Sequence, residues 1–121
     1  MDYQQAFERS PAPSLLLNCD LQIITCNAAF EQAVGLLRDA LIGRPLFEMF
    51  PGRGHQQQVL LQSFQQVLSS AAAHQIPLLE YHLSTHASLP SEYWTATHTP
   101  FLDDTGAVTA ILCHPLNLSE L

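Results

Sequence analysis

The spacing of apolar residues changes twice along this chain, and these changes limit the folds open to it. Short runs suited to β-strands occupy both ends of the chain, and between them lies a stretch with the three-to-four-residue spacing of helices. Two runs of strands that flank a helical insert favour an antiparallel sheet with helices packed on one face. The pattern therefore predicts a single α+β domain over residues 1–121.

The front of the chain predicts an arm, a β-hairpin and a helix. Residues 1–13 form a polar arm that carries Tyr3 and Phe7, one helical turn apart. Two β-suited runs at 14–18 and 22–26 surround a Cys19-Asp20 turn. Asn27 then has the character of a helix N-cap, and Gly35 that of a helix end.

The middle of the chain predicts short helical pieces and then one longer helix. The short pieces cover 38–41 and 44–50, and the residues at 51–54 break the chain. The longer helix is predicted over 55–74 from its apolar spacing, with Pro77 ending it.

The back of the chain predicts three strands. They are expected at 78–85, 92–99 and 108–114. Pro100 is expected to close the second strand, and pairing of the third is expected to fail at or before Pro115, because proline has no N–H to donate. Asp103 to Gly106 has the composition of a hairpin turn. Asn117 is expected to cap a helix that begins the connector at 117–121.

Charge and cysteine content exclude several classes of function. The net charge of −7 and the absence of lysine argue against binding nucleic acid or an anionic membrane surface. No stretch has the ~18–20 apolar residues of a membrane span, and the first residues lack signal-peptide character, so a cytoplasmic location is expected. The three cysteines form no C-x-x-C, which argues against a disulfide framework or a structural zinc site.

The front half resembles a PAS domain. The resemblance is carried by residues 7–11 (FERSP), Asp20, residues 27–30 (NAAF) and residues 41–51 (LIGRPLFEMFP). It implies a five-stranded antiparallel sheet with short helices and one longer helix on one face, which together wall a pocket.

The back half is similar to the PAS domains at the front of many bacterial hybrid histidine kinases. Tyr93-Trp94, Thr99-Pro100 and the turn that ends at Gly106 carry this likeness. The family usually closes with an Asp-Ile/Val-Thr triplet that couples the domain to its output. Here the corresponding residues are Asn117, Leu118 and Ser119. The resemblance therefore implies a non-enzymatic regulatory module with an output domain beyond Leu121. A histidine kinase is the first expectation for that output domain, and a diguanylate cyclase or transcription regulator is the second.

A pocket between sheet and helices would be lined by apolar side chains and a few polar groups. The candidates are Phe50, Leu60, Phe64, Tyr81, Leu83, Trp94, Ala96, His98, Ile111 and Cys113. They could hold a small, unidentified molecule. They could equally fill the interior and leave a ligand-free protein-interaction module. The sequence leaves both alternatives open.

No haem, flavin or metal site is expected. His55 and His74 lie at the two ends of the predicted long helix without the flanking pattern of haem-binding members, and they are interpreted as solvated. Residues 43–51 lack the cysteine of flavin photoreceptors. His82 and His86 run from strand into loop and do not form a helical zinc pair. His98 could face inward from the strand predicted at 92–99.

Two further hypotheses concern enzymes and partners. A ketosteroid-isomerase-like cone would need a carboxylate on an interior strand position, whereas Glu80 falls on the polar face of its strand and Asp103-Asp104 fall in a turn.

A homodimer is predicted through the arm and the outer sheet face, because apolar residues of the last strand fall on both of its faces. Those residues are Val108 and Leu112 on one face, and Ile111 and Cys113 on the other.

Overall fold

The computed structural model of the chain describes residues 2–83 and 92–118. Within these residues the helices are α1 (Tyr3–Arg9), α2 (Ala28–Val34), α3 (Arg38–Leu41), α4 (Leu46–Met49) and α5 (Gly54–Ser70). The strands are β1 (Leu15–Leu17), β2 (Ile23–Cys26), β3 (His74–Glu80), β4 (Tyr93–Leu102) and β5 (Val108–Asn117). None of these helices has both the length and the apolar character needed to cross a membrane.

The strands form one antiparallel sheet in the order β2-β1-β5-β4-β3. The last strand therefore lies at the centre, between the first strand and β4, and Leu16 is opposite Leu112. Helix α5 packs against β3, β4 and β5. Apolar side chains from the helices and from one sheet face form the core. The predicted α+β class and the five-stranded antiparallel sheet are confirmed.

Asn27 shows how the front of the fold is held together. It is fully buried and caps α2, with Oδ1 accepting the backbone N–H groups of Phe30 and Ser14 at 3.0 Å. Its Nδ2 donates to the carbonyl oxygens of Phe7 and Ala12. One amide thus satisfies backbone groups from the arm, the entry to β1 and the start of α2, as a capping residue can.

The boundary between the long helix and the next strand was predicted wrongly. Helix α5 ends at Ser70, with Ala71 in the left-handed region at φ 54°, and β3 has already begun at His74. Pro77 therefore lies inside a strand rather than after a helix. Because β3 is at the sheet edge and its register shifts between Ile76 and Leu79, the missing N–H of proline is tolerated there.

The other two prolines also fail to end their strands. Strand β4 continues past Pro100 to Leu102, and β5 continues past Pro115 to Asn117. Each strand has a neighbour on one side only at these positions. Strand β3 pairs with β4 no further along the chain than His98, so Pro100 lies beyond that pairing. Strand β1 pairs with β5 only at residues 111–113, so Pro115 also lies beyond it. The prolines therefore occupy positions that are locally edge-like, where no N–H is needed on the open side.

Candidate functional site

A small cavity lies between the inner face of the sheet and the helices. Its volume is about 40 Å³. Small-molecule pockets usually measure roughly 300–1,000 Å³, and a water molecule occupies about 30 Å³ of liquid. The cavity is therefore water-sized, and side chains fill most of the predicted pocket.

Most of the predicted pocket residues do meet at this cavity. Those that line it are Phe50, Leu60, Phe64, Leu83, Ala96, His98 and Cys113. Tyr81, Trp94 and Ile111 are buried but do not line it. The structure thus separates the candidates into a cavity wall and a set of side chains packed around that wall.

Other lining residues were missed from the sequence. They are Leu15, Phe30, Leu46, Leu79 and Pro115. Leu15, Phe30 and Leu46 come from β1, α2 and α4, whose buried sides meet α5 and β4 only in the folded chain. The short apolar runs around Leu15 and Leu46 signalled burial, but nothing local signalled a shared cavity.

The polar group of the cavity is the imidazole of His98. His98 is 2% exposed, and its ring stacks on Phe64 with centroids 4.3 Å apart. Its Nδ1 lies 2.7 Å from the Oγ of Ser63 on α5, and that Oγ also lies 2.7 Å from the Nδ1 of His74 on β3. A serine hydroxyl therefore bridges two histidines from adjacent strands, which are directly opposite each other in the sheet.

This bridge corrects one sequence interpretation and extends another. His74 is half-buried at the start of β3 and bonded to Ser63, so the prediction that it is a solvated helix-end histidine was wrong. His98 does face inward, as its strand position allowed. His55 and His82 are exposed, and His86 lies outside the described residues.

Burial controls the charge state of the groups near the cavity. Burial, and next the charge of His74, lower the pKa of His98 to about 4, so its imidazole is neutral near pH 7. Burial raises the pKa of the Cys113 thiol, which is opposite His98 on β5. Burial also raises the pKa of Cys26 to about 11. These buried cysteines are therefore protonated and behave as small apolar side chains.

Tyr81 and Trp94 support the cavity wall from behind. The fully buried Tyr81 hydroxyl donates to the carbonyl oxygen of Phe50 at 2.5 Å, and burial raises the pKa of Tyr81 to about 12. Trp94 donates its indole N–H to the carbonyl oxygen of Tyr81 at 3.1 Å. These bonds connect β4, the end of β3 and the end of α4.

Gly52 lies against the Tyr81 ring and is expected to resist substitution. Its φ is +61°, and a Cβ built there would lie 2.5 Å from Tyr81 Cζ. Gly52→Ala is therefore expected to reduce the free energy of unfolding by roughly 2–5 kcal/mol, combining left-handed backbone strain with overpacking. Urea denaturation measures the change.

Two other glycines separate the causes of that loss. Gly43 also has a positive φ, but a Cβ there would meet nothing within 4 Å, so Gly43→Ala reports backbone strain alone. Gly54 has open space and no positive φ, so Gly54→Ala is expected to be nearly neutral. A Gly52 variant no less stable than the Gly43 variant would show that the Tyr81 contact is unimportant.

A hydrogen-bonded path leads from the cavity wall to the end of β5. Glu92 is 2% exposed, and its Oε1 accepts the backbone N–H of Leu83, which lines the cavity. Its Oε2 lies 3.5 Å from Nδ2 of Asn117, the last residue of β5. The Asn117 side chain thus reaches Glu92, although it was predicted to cap a helix. Leu118 follows it, and Ser119 lies outside the described residues.

The outer sheet face and the arm, the two surfaces predicted to form a homodimer, both carry exposed apolar side chains. On the outer sheet face Phe101 and Leu116 are 45% and 44% exposed, beside the half-buried Leu112. On the arm, Tyr3 is 80% exposed, whereas Phe7 is half-buried and Glu8 forms an ion pair with Arg38. The arm is therefore attached to its own domain and still presents Tyr3.

The turn between β4 and β5 has the structural role predicted for it. Asp103 Oδ1 accepts hydrogen bonds from the Thr105 hydroxyl and from the backbone N–H groups of Thr105 and Ala107. These bonds, the hydroxyl bond most of all, lower the pKa of Asp103. Gly106 follows at φ 87°. The carboxylate thus closes a hairpin, in agreement with its interpretation as a turn residue.

Comparison with known proteins agrees with this architecture. A family model described as the PAS fold matches residues 7–121, and a search of curated proteins finds no match. The PAS domain of a protein from Colwellia psychrerythraea superposes with a TM-score of 0.80 at 12% identity, covering 98% of this chain and 96% of that one. A sensory box sensor histidine kinase from Vibrio cholerae gives 0.67 at 15% identity, covering 96% and 87%.

A third solved structure is an RNA-binding light-oxygen-voltage receptor, with a TM-score of 0.77 at 15% identity. The match covers 98% of this chain but only 33% of that receptor. At such identities these structures support the fold alone. Because the family model spans nearly all of the chain and the same fold recurs in these structures, this chain belongs to the PAS fold family, whose domains are generally sensory or regulatory rather than catalytic.

Proposed function

We propose that this domain is the sensory module of a bacterial sensor histidine kinase, and that it responds to a small molecule held in its interior. The observation that carries the proposal is the path from cavity wall to strand end, through Leu83, Glu92 and Asn117. A ligand that moves Leu83 would disturb the Glu92 carboxylate. The end of β5, where the connector to an output domain begins, would respond.

The lining chemistry supports a small uncharged ligand. Among the described residues, those around the cavity are apolar apart from His98 and the protonated thiol of Cys113, and none of them brings a carboxylate or guanidinium to it. A charged molecule would lose its hydration without gaining a partner of opposite charge. Because the cavity has room for about one water molecule, a larger ligand must displace lining side chains such as Leu60 or Phe64. The unpaired cysteines are in keeping with a cytoplasmic setting.

Binding is tested by titrating small neutral fragments into ¹⁵N-labelled protein and following amide shifts. Fragments that enter are expected to shift resonances of Phe64, His98 and Asn117 together. Ala96→Leu serves as a control, since it fills the cavity and should abolish the response. Shifts confined to exposed residues, or unchanged by Ala96→Leu, would contradict an interior site.

The second candidate is a ligand-free protein-interaction module of a diguanylate cyclase or transcription regulator. The small cavity favours it, because an already filled interior needs no ligand for stability. This candidate predicts that native mass spectrometry finds only the mass of the chain and that no fragment produces the Asn117 response.

A homodimer through the arm and the outer sheet face remains our prediction for the partner. Leu116→Glu is expected to produce monomers, because it would bury an unpaired charge in the proposed interface. Leu37→Glu is the matched control, since Leu37 is 74% exposed on the helical side. Light scattering measures the mass. An unchanged dimer after Leu116→Glu would exclude the outer face, and one after deletion of residues 1–9 would exclude the arm.

The absence of a haem or flavin chromophore also remains a prediction. Protein purified from cells supplied with both cofactors is expected to show neither a haem band near about 400 nm nor a flavin band near about 450 nm. Either band, retained through gel filtration at a stoichiometric amount, would contradict it.

A further inference from the structure

The Ser63 bridge imposes a rule on the two histidines it joins. A serine hydroxyl has one hydrogen, so when Oγ donates to one Nδ1 it can only accept from the other. Both Nδ1 atoms lie 2.7 Å from Oγ, within hydrogen-bond distance. The satisfied bridge therefore requires one Nδ1 to carry a hydrogen and the other to lack it.

The requirement on Nδ1 of His98 also determines whether the other ring nitrogen, Nε2, is a donor or an acceptor. A neutral imidazole carries a hydrogen on one nitrogen only, so the state of Nδ1 determines the state of Nε2. When Ser63 donates to His98, Nε2 of His98 carries the hydrogen and is a donor. When His98 donates to Ser63, Nε2 is an acceptor. Nε2 is the ring nitrogen that Ser63 leaves available on this cavity-lining residue.

Protonation of His74 removes one of these two arrangements. A protonated imidazole has hydrogens on both nitrogens, so Nδ1 of His74 must then donate to Ser63 Oγ. The Ser63 hydrogen must point to His98, and Nε2 of His98 must be a donor. If Nε2 was an acceptor beforehand, the two bridge hydrogens shift toward His74 and Nε2 takes up the proton. In both cases exactly one proton enters from solvent and the positive charge resides on His74.

The surroundings favour His74 as the site of that charge. Helix α5 has no ionisable side chain except the exposed His55 at its start. On β5 the ionisable groups are the protonated Cys113 and His114, which bonds the carbonyl oxygen of Pro13. On β3 the other ionisable group is Glu80, at the far end of the strand. On β4 the remaining such group is Tyr93, at its other end. His98 is buried with a pKa lowered to about 4, whereas His74 is half-buried at the start of β3.

We propose that Ser63 and His74 determine the hydrogen-bonding specificity of the interior. With His74 protonated, the cavity presents a donor and selects a small uncharged molecule that carries an acceptor, such as a carbonyl oxygen. With His74 neutral, it can also accept from a hydroxyl or amine. Ser63 and His74 are thus positioning residues that act through His98. The ligand class rests on the proposed function, whereas the coupling between the histidines does not.

The coupling is tested on the ligand-free protein by long-range ¹⁵N–¹H NMR of labelled histidines, from about pH 8 to about pH 5. Once the ring resonances of His74 show it protonated, the Nε2 resonance of His98 is expected at the position of a fully protonated nitrogen while His98 stays neutral. A His98 whose Nε2 lacks a hydrogen while His74 is protonated, or a His98 that itself becomes cationic in this range, would overturn the proposal.

Variants assign the effect to the bridge. Ser63→Ala and His74→Gln should each make the His98 tautomer independent of pH, and Ser69→Ala, an exposed serine of the same helix, should change nothing. A His98 tautomer that still changes with pH in either bridge variant would also overturn the proposal. His74→Gln is decisive if Ser63→Ala does not fold, because His74 is only half-buried. The fragment titration tests ligand binding separately, so failure of one proposal is distinguishable from failure of the other.

Discussion

Trp94→Ala is expected to reduce the free energy of unfolding by about 3–5 kcal/mol, a large part of a small domain's stability. Trp94 is 1% exposed and is paired in the sheet with Leu79 on one side and Asn117 on the other. Its removal would leave a large void and would also leave the Tyr81 carbonyl without its indole donor. Both losses act on the layer behind the cavity.

Trp94→Phe is expected to cost much less, because most of the apolar area survives. Its residual cost reports the lost hydrogen bond to Tyr81, about 1 kcal/mol. Tyr93→Ala is the matched control, since the neighbouring ring is 44% exposed on the same strand. Thermal and urea denaturation compare the three variants. An unshifted melting temperature for Trp94→Ala would show that the indole has no structural role.

Acidification from about pH 7 to about pH 4 is expected to reduce the free energy of unfolding by roughly 3 kcal/mol through His98 alone. Its pKa is lowered from 6.5 to about 4 in the folded chain. Between these values the unfolded chain binds the proton and the folded chain does not, so stability falls as the pH decreases. The contribution is fully present above the unfolded pKa.

Urea denaturation at a series of pH values measures this loss, and His98→Gln identifies its source. The variant should retain a hydrogen-bonding side chain near Ser63 and lose most of the acid sensitivity between about pH 6.5 and pH 4. His55→Gln is the control, because His55 is exposed at the start of α5. A parallel pH dependence in wild type and His98→Gln would exclude His98 as the cause.

Local chemistry made much of the fold predictable. The cap at Asn27, the left-handed Gly35 and the Asp103–Gly106 turn depend on residues within a few positions of one another, and all three form as predicted. The resemblance to PAS domains supplied the five-stranded sheet, which local patterns alone could not.

The prolines show where local reasoning fails. Pro77, Pro100 and Pro115 were predicted to end elements, but each lies within a strand. Whether a missing N–H matters depends on whether a neighbouring strand lies on that side. Sheet order decides this, and it is a property of the whole fold.

The amino-acid sequence by itself determined the order of the elements, their turns and most of the buried side chains, because these depend on short-range periodicity and backbone preferences. Only the tertiary structure decided that the predicted pocket is nearly filled and that His74 joins His98 through Ser63. Ser63 lies 35 positions before His98, and the bond between them exists because α5 packs across β3 and β4. Contacts of that range follow from packing, which brings together residues that carry no shared local signal.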